Sequence, residues 1–420
     1  MDEKGRPLGL TPASGIQENA ELSLRFFGSG GEGKFLVRKT GFAFLLVAGL
    51  FLGWPEAPAV SAAPAGGGEP GAEAAARASR SKPRRRTVRR RYSPWRTPNY
   101  ADSTRGDRTA GEDPVVRRAA VQALGRYNGS VVAVDVNSGR ILAIVNQKLA
   151  FSEGFIPCST IKIPVALAAL SEGVIDRTTK LRTYGSRRLD MTEALARSDN
   201  RYFESLGRKL GFERVRYYAR LFGLGERAGL NLPGERPGEL PEAPPKNGVA
   251  KMCSFGEGIR VTPLQLAALM SAIANGGTLY YLQYPRNREE VLKFVPRIKR
   301  RLDIQQWIPE VKPGLMGAVA FGTAQRIGFD PNAPILGKTG TCTDYDARAH
   351  MGWFAAFNDH GARQVAVVVM LTGGGAVNGP VAAGVAGRFF RRLADSGYFD
   401  EPLRYSPVAL VQSGACCAAQ

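Results

Sequence analysis

The stretch Pro157-Cys158-Ser159-Thr160-Ile161-Lys162-Ile163-Pro164 opens a helical pattern that runs from Thr160 to Glu172. Ser159 and Lys162 stand at i and i+3, so they share one helix face. A serine hydroxyl is a weak nucleophile until a neighbouring base takes its proton. A lysine becomes that base when burial or nearby charge lowers its pKa. The first turn of a helix also offers free backbone N–H groups, which beside Ser159 could hold an oxyanion. The spacing alone is weak, because Ser79-Arg80-Ser81-Lys82 repeats it inside an Arg-rich tract. Two later motifs, in a fixed order along the chain, give it meaning. Ser198-Asp199-Asn200 comes after a helical segment, and Lys338-Thr339-Gly340-Thr341 sits between Ile335-Leu336-Gly337 and further strand-like sequence.

Outward from these motifs the chain is organised as strands, then helices, then strands. Residues 130–136 (SVVAVDV) and 141–145 (ILAIV) are β-rich runs around the hairpin turn Asn137-Ser138-Gly139-Arg140. Helical patterns come next over residues 160–172, 191–210 and 262–275, the last with Pro263 in its first turn. Residues 350–357 and 364–371 read as two more strands. This order predicts an α+β domain over about residues 114–402, its sheet drawing strands from both ends with a helical block between. Residues 403–420 read as a frayed tail.

The N-terminal part reads differently. Residues 41–54 (GFAFLLVAGLFLGW) are apolar and come after Lys34, Arg38 and Lys39. A membrane span needs about twenty apolar residues, so this run suits a signal-peptide core or a signal anchor. Its basic flank predicts an exported C-terminal part. Residues 1–40 read as a disordered cytoplasmic tail. Residues 55–113 read as a disordered linker, because from Arg77 to Arg105 eleven basic residues face the single acid Asp102. That tract is a charged spacer or a surface for anionic lipid or cell-wall polymer.

Of the 420 residues, 57 are Lys or Arg and 37 Asp or Glu, a net +20. Half of that excess lies in the linker, which argues against a nucleic-acid partner. A hydrophobic fraction of 44% excludes global disorder. Two His and five Cys without CxxC or HExxH spacing leave no expected metal site, and no cofactor is expected. His350 and His360 receive no chemical role.

Three motifs of this kind in this order form the serine acyl-enzyme set, and residues 125–395 resemble the transpeptidase domain of penicillin-binding proteins. The resemblance extends to 137–143 (NSGRILA), 196–203 (ARSDNRYF), 221–239 (LFGLGERAGLNLPGERPGE), Gly256-Glu257-Gly258, 261–265 (VTPLQ), Ala274-Asn275-Gly276-Gly277, and His350, Gly352, Trp353 and Phe354. It implies a β-lactamase-like fold with an antiparallel sheet, and acyl transfer on peptidoglycan stem peptides ending in D-Ala-D-Ala. Under it Ser159 is the nucleophile, Lys162 its base and Ser198 the proton relay, tuned by Lys338. Asn200 holds a substrate amide, while Thr339, Gly340 and Thr341 receive the terminal carboxylate. The backbone N–H groups of Ser159 and Thr341 form the oxyanion hole, and β-lactams acylate the same serine. An N-terminal anchor or a cleaved signal then leaves the catalytic domain periplasmic or extracytoplasmic, in the bacterial cell envelope.

Within that superfamily, 157–164 also has a flavour of class D β-lactamases. The Ser-Asp-Asn triplet, the 261–265 signature and the lack of a Glu-x-x-x-Asn deacylation element after Asn200 favour a penicillin-binding protein. D,D-Carboxypeptidase, β-lactamase, penicillin sensor and weakly active scaffold stay open as alternatives. The resemblance also implies that Cys158 and Cys342 face each other across the floor of the site. A disulfide between them is the reading adopted, against two small buried thiols as the alternative. Cys253 reads as a buried thiol, and Cys416 and Cys417 are assigned no role.

Overall fold

The computed structural model describes residues 102–401, apart from 231, 346–348 and 375–376. The expectations for residues 1–54, for most of the Arg tract and for residues 403–420 fall outside the described residues. Among the described residues no helix is long and apolar enough to cross a membrane.

Helix α1 (Pro114–Leu124) precedes the hairpin β1 (Gly129–Asp135) and β2 (Ile141–Val145). A helical block comes next: α2 (Gln147–Ala150), α3 (Lys162–Ser171), α4 (Met191–Ala196), α5 (Asn200–Leu210), α6 (Phe212–Leu221), α7 (Gly248–Phe255) and α8 (Pro263–Ala274). Within it lies a small hairpin, β3 (Leu181–Arg182) and β4 (Arg188–Leu189). After β5 (Thr278–Tyr280), α9 (Arg288–Leu292), β6 (Ile298–Arg301) and α10 (Ile308–Ala320), the chain returns to the sheet. It does so with β7 (Ile335–Asp344), β8 (Ala349–Asn358) and β9 (Val365–Gly373), and closes with α11 (Gly379–Asp395).

The main sheet has the order β2-β1-β9-β8-β7, antiparallel throughout. Its middle is thus formed where the first and last strands of the domain pair, Val132 opposite Val368. Both faces are covered, which is why β1 and β9 are near-continuous apolar runs rather than alternating ones. Val132 and Val134 pack with the helical block, whereas Val131 and Ala133 pack against α1 and α11. Helix α8 is buried along its whole length. Its Thr262–Gln265 capping box satisfies the first turn. The Gln265 Nε2 also donates to Pro237 O at 2.6 Å and Glu226 O at 2.9 Å, pinning the loop 221–239.

Two boundaries differ from the sequence reading. Residues 102–113, assigned to the linker, pack on the domain. Asp107 accepts from Asn146 N at 3.0 Å and Gln147 N at 2.8 Å and pairs with Arg117 at 2.8 Å. Glu112 is buried and accepts from Ile144 N at 2.8 Å. The segment has few apolar residues, so its anchoring runs through carboxylates that pattern reading assigns to solvent. The helical pattern over 191–210 is broken into α4 and α5, because Ser198 takes a left-handed φ of 56° that no helix continues through.

Candidate active site

Ser159 lies on one turn of 3₁₀ helix, Cys158–Ile161, that leads directly into α3 at Lys162. Pro157 O holds the turn, accepting from Thr160 N at 3.2 Å and Thr160 Oγ1 at 2.7 Å. Cys158 takes a φ of 52°, a region non-glycine residues seldom adopt and one that collects at functional sites. Three contacts lock this turn to the sheet. Cys158 and Cys342 of β7 form a disulfide with a Cα separation of 5.6 Å. The Trp353 Nε1 of β8 donates to Ile156 O at 3.0 Å. Gly340 of β7 comes so close that a Cβ there would sit 3.0 Å from Pro157 O and 3.2 Å from the Cys158 Cβ.

Lys162 is fully buried. Its Nζ donates to Ser198 O at 2.7 Å, Ser198 Oγ at 3.1 Å and Asn200 Oδ1 at 2.6 Å. Burial pulls its pKa down to about 7, against the upward pull of Asp199 and Glu204. Ser198 reaches this position because the chain turns sharply there. Asp199 then caps α5 by accepting from Tyr202 N at 2.9 Å. Asn200 is exposed and lies in the first turn of α5. The Ser159 hydroxyl is half-buried and makes no hydrogen bond among the described residues.

Lys338 is also fully buried, its Nζ donating to Thr339 O at 3.0 Å. Burial, and then the charge of Lys162, hold its pKa well below the usual lysine range. Neighbouring side chains on β7 alternate. Lys338, Gly340 and Cys342 face the nucleophile turn, while Thr339 and Thr341 face the start of α11. There Thr341 Oγ1 accepts from Gly379 N at 2.8 Å, which leaves its own hydrogen free to donate. Thr341 itself is exposed.

One residue at this site carried no signal in the sequence. Thr323, just past α10, donates its N–H to Ala196 O at 3.1 Å and shares a short hydrogen bond with the Thr339 hydroxyl. It therefore joins the Ser198 loop to β7. The adjacent Gly322 packs against the Ala196 carbonyl so closely that a Cβ would fall 2.1 Å from it. A Gly-Thr pair after a helix is too common to read as chemistry.

Ser159, Lys162, Ser198, Asn200 and the Lys338–Thr341 strand thus meet at one place, drawn from three separated segments. Residues 129–393, more than half of the chain, match the family described as the penicillin binding protein transpeptidase domain. The chain belongs to the penicillin-binding protein transpeptidase family. Stage V sporulation protein D of Bacillus subtilis (strain 168) is 30% identical over 223 residues, covering 47% of this chain and 34% of that protein. Peptidoglycan D,D-transpeptidase FtsI of Escherichia coli (strain K12) is 28% identical over 314 residues, covering 63% of this chain and 52% of that protein. The chain therefore spans between a third and about half of the length of these relatives. Among solved structures, penicillin-binding protein A of M. tuberculosis, a ceftriaxone acyl-enzyme complex, superposes with a TM-score of 0.57 at 23% identity. It covers 67% of this chain and 78% of that one, and supports the penicillin-binding protein fold.

Proposed function

We propose that the protein is a serine D,D-transpeptidase that cross-links peptidoglycan stem peptides ending in D-Ala-D-Ala. The observation that carries this reading is the convergence of Ser198 and Asn200 on a buried Lys162, one helical turn from Ser159. In the neutral form that its lowered pKa makes accessible, Lys162 takes the Ser159 proton as Oγ attacks the carbonyl between the two D-alanines. The tetrahedral oxyanion is met by the backbone N–H groups of Ser159 and Thr341. The C–N bond then breaks, and the Lys162 proton passes through Ser198 to the departing D-Ala amine. The acyl-Ser159 ester is next attacked by an acceptor amine. The ester C–O bond breaks, an amide forms, and the proton lost by the amine returns to Ser159 by the same relay.

Lys338 supports the relay electrostatically. Asn200 offers its amide to the donor peptide, and the Thr339–Thr341 edge receives the terminal carboxylate. β-Lactams, which present a comparable acyl group, acylate Ser159 instead. The Cys158–Cys342 disulfide suits an extracytoplasmic site, and the Arg77–Arg105 tract suits an anionic polymer or lipid beyond the active site.

The test is turnover of a pentapeptide stem with and without an amine acceptor, for wild type and Ser159→Ala. Cross-linked product with release of D-Ala is expected for wild type and neither for the variant. Free D-Ala alone, with acceptor present, would make the enzyme a carboxypeptidase. Full activity in Ser159→Ala would overturn the mechanism.

A further inference from the structure

Beside the second motif lies a basic surface that the acyl-transfer chemistry does not use. The 13 residues 177–189, RTTKLRTYGSRRL, contain five basic residues and no acid. They fold into the β3–β4 hairpin and its approach, outside the main sheet. Lys180, Arg182, Arg187 and Arg188 are exposed.

Carboxylates flanking the hairpin already have partners, one of them Arg177 of the same stretch. Asp176 accepts from Thr178 N and Thr178 Oγ1, each at 2.8 Å. Asp190 caps α4 through Glu193 N at 2.9 Å. Glu310 pairs with Arg177 at 2.8 Å, and Glu204 pairs with Lys251 at 2.7 Å.

Backbone carbonyls set the guanidinium groups in place. Arg182 Nε donates to Gly185 O at 2.6 Å and Arg188 Nη2 to Lys180 O at 3.1 Å. Arg201, the residue after Asn200, donates to Thr183 O at 3.2 Å and lies 3.9 Å from the Tyr184 ring centre. Tyr184 is nevertheless 53% exposed. The hairpin is therefore fastened to the element that carries Asn200. Among the described residues, Lys180, Arg182, Arg187, Arg188 and Arg201 form no ion pair with a carboxylate.

Cations held by carbonyls rather than carboxylates keep their charge available to an external anion, and a row of them favours a polymer with repeated anionic groups. A half-exposed aromatic ring among them adds a flat surface on which a sugar or peptide group can rest.

We infer that the β3–β4 hairpin is a docking surface for the carboxylate-bearing peptidoglycan strand, holding the polymer beside Ser198 and Asn200 while one stem peptide enters the site. This rests on the transpeptidase reading and adds to it a determinant for polymeric over small substrates.

The test uses the full-length chain, so that the Arg77–Arg105 tract is present in every arm. Arg182→Gln/Arg187→Gln/Arg188→Gln is compared with wild type for co-sedimentation with purified sacculi stripped of teichoic acid and protein. Acylation by a fluorescent penicillin is measured in parallel. About tenfold weaker binding to sacculi is expected, shrinking as salt rises, with the acylation rate unchanged. Lys180→Gln/Arg187→Gln removes two side chains that make no hydrogen bond among the described residues, and tests the same point if the triple variant folds poorly. It is expected to weaken binding by about threefold. Unchanged sacculus binding in a variant that is acylated normally would overturn the proposal. Hairpin-dependent binding to vesicles of phosphatidylglycerol, without hairpin-dependent binding to sacculi, would also overturn it. Failure of wild type to be acylated would instead defeat the transpeptidase reading itself.

Discussion

The pH dependence of acylation reads the state of Lys162 directly. Its Nζ sits at zero exposure among three oxygen acceptors, and burial lowers its pKa from 10.5 to about 7. Only the neutral amine can accept the Ser159 proton. With that pKa about a tenth of the enzyme is competent at pH 6, half at pH 7 and nine-tenths at pH 8. The second-order rate of acylation by a fluorescent penicillin should therefore rise about tenfold from pH 6 to 8 and then level off. A solvated lysine would give a rate still rising about tenfold per pH unit at pH 9.

Asp199 has the larger effect of the two charges that raise the Lys162 pKa, ahead of Glu204. Asp199→Asn keeps a residue able to cap α5 but removes the negative charge, so the midpoint should move to lower pH. The assay is a stopped-flow acylation series between about pH 5.5 and 9.5. A profile with no plateau below about pH 9, or a midpoint moved upward in Asp199→Asn, would refute Lys162 as the base.

Other expectations rest on the same geometry. Lys338→Met replaces a fully buried amine by an apolar side chain of similar length, so acylation should be lost while the melting temperature holds or rises; a fall of more than about 5 °C in calorimetry would show that Lys338 is structural instead. Cys158→Ala/Cys342→Ala removes a crosslink across a sequence separation of 184 residues and should cost about 2–4 kcal/mol in denaturant unfolding. It should also slow acylation, because the nucleophile turn loses a tie to β7; a variant as stable and as fast as wild type would contradict both points. Gln265→Ala leaves the carbonyls of Pro237 and Glu226 without their donor and should destabilise by about 2–4 kcal/mol, with the acylation rate of the folded fraction unchanged.

Much of the architecture was legible because its elements carry local signals. The β1–β2 hairpin announces itself by two apolar runs around Asn-Ser-Gly-Arg, and α8 by its helical apolar run with Pro263 in the first turn. The break between α4 and α5 was not legible, since a left-handed serine leaves no mark in composition. Nor was the packing of residues 102–113, whose anchors are Asp107 and Glu112, residues that pattern reading gives to solvent.

The sequence by itself determined the three motifs and their order, with the first at a helix start and the third on a strand. Those are short-range properties, written in spacing and in turn chemistry. Tertiary structure alone decided that Lys162 turns to Ser198 and Asn200, that its amine titrates near neutrality, and that Thr323 joins the Ser198 loop to β7. It also decided that the cations of 177–189 stand beside Asn200 rather than in solvent far from the site. Burial, distance and the choice among competing acceptors arise only when segments far apart in the chain are packed together, and no local pattern records them.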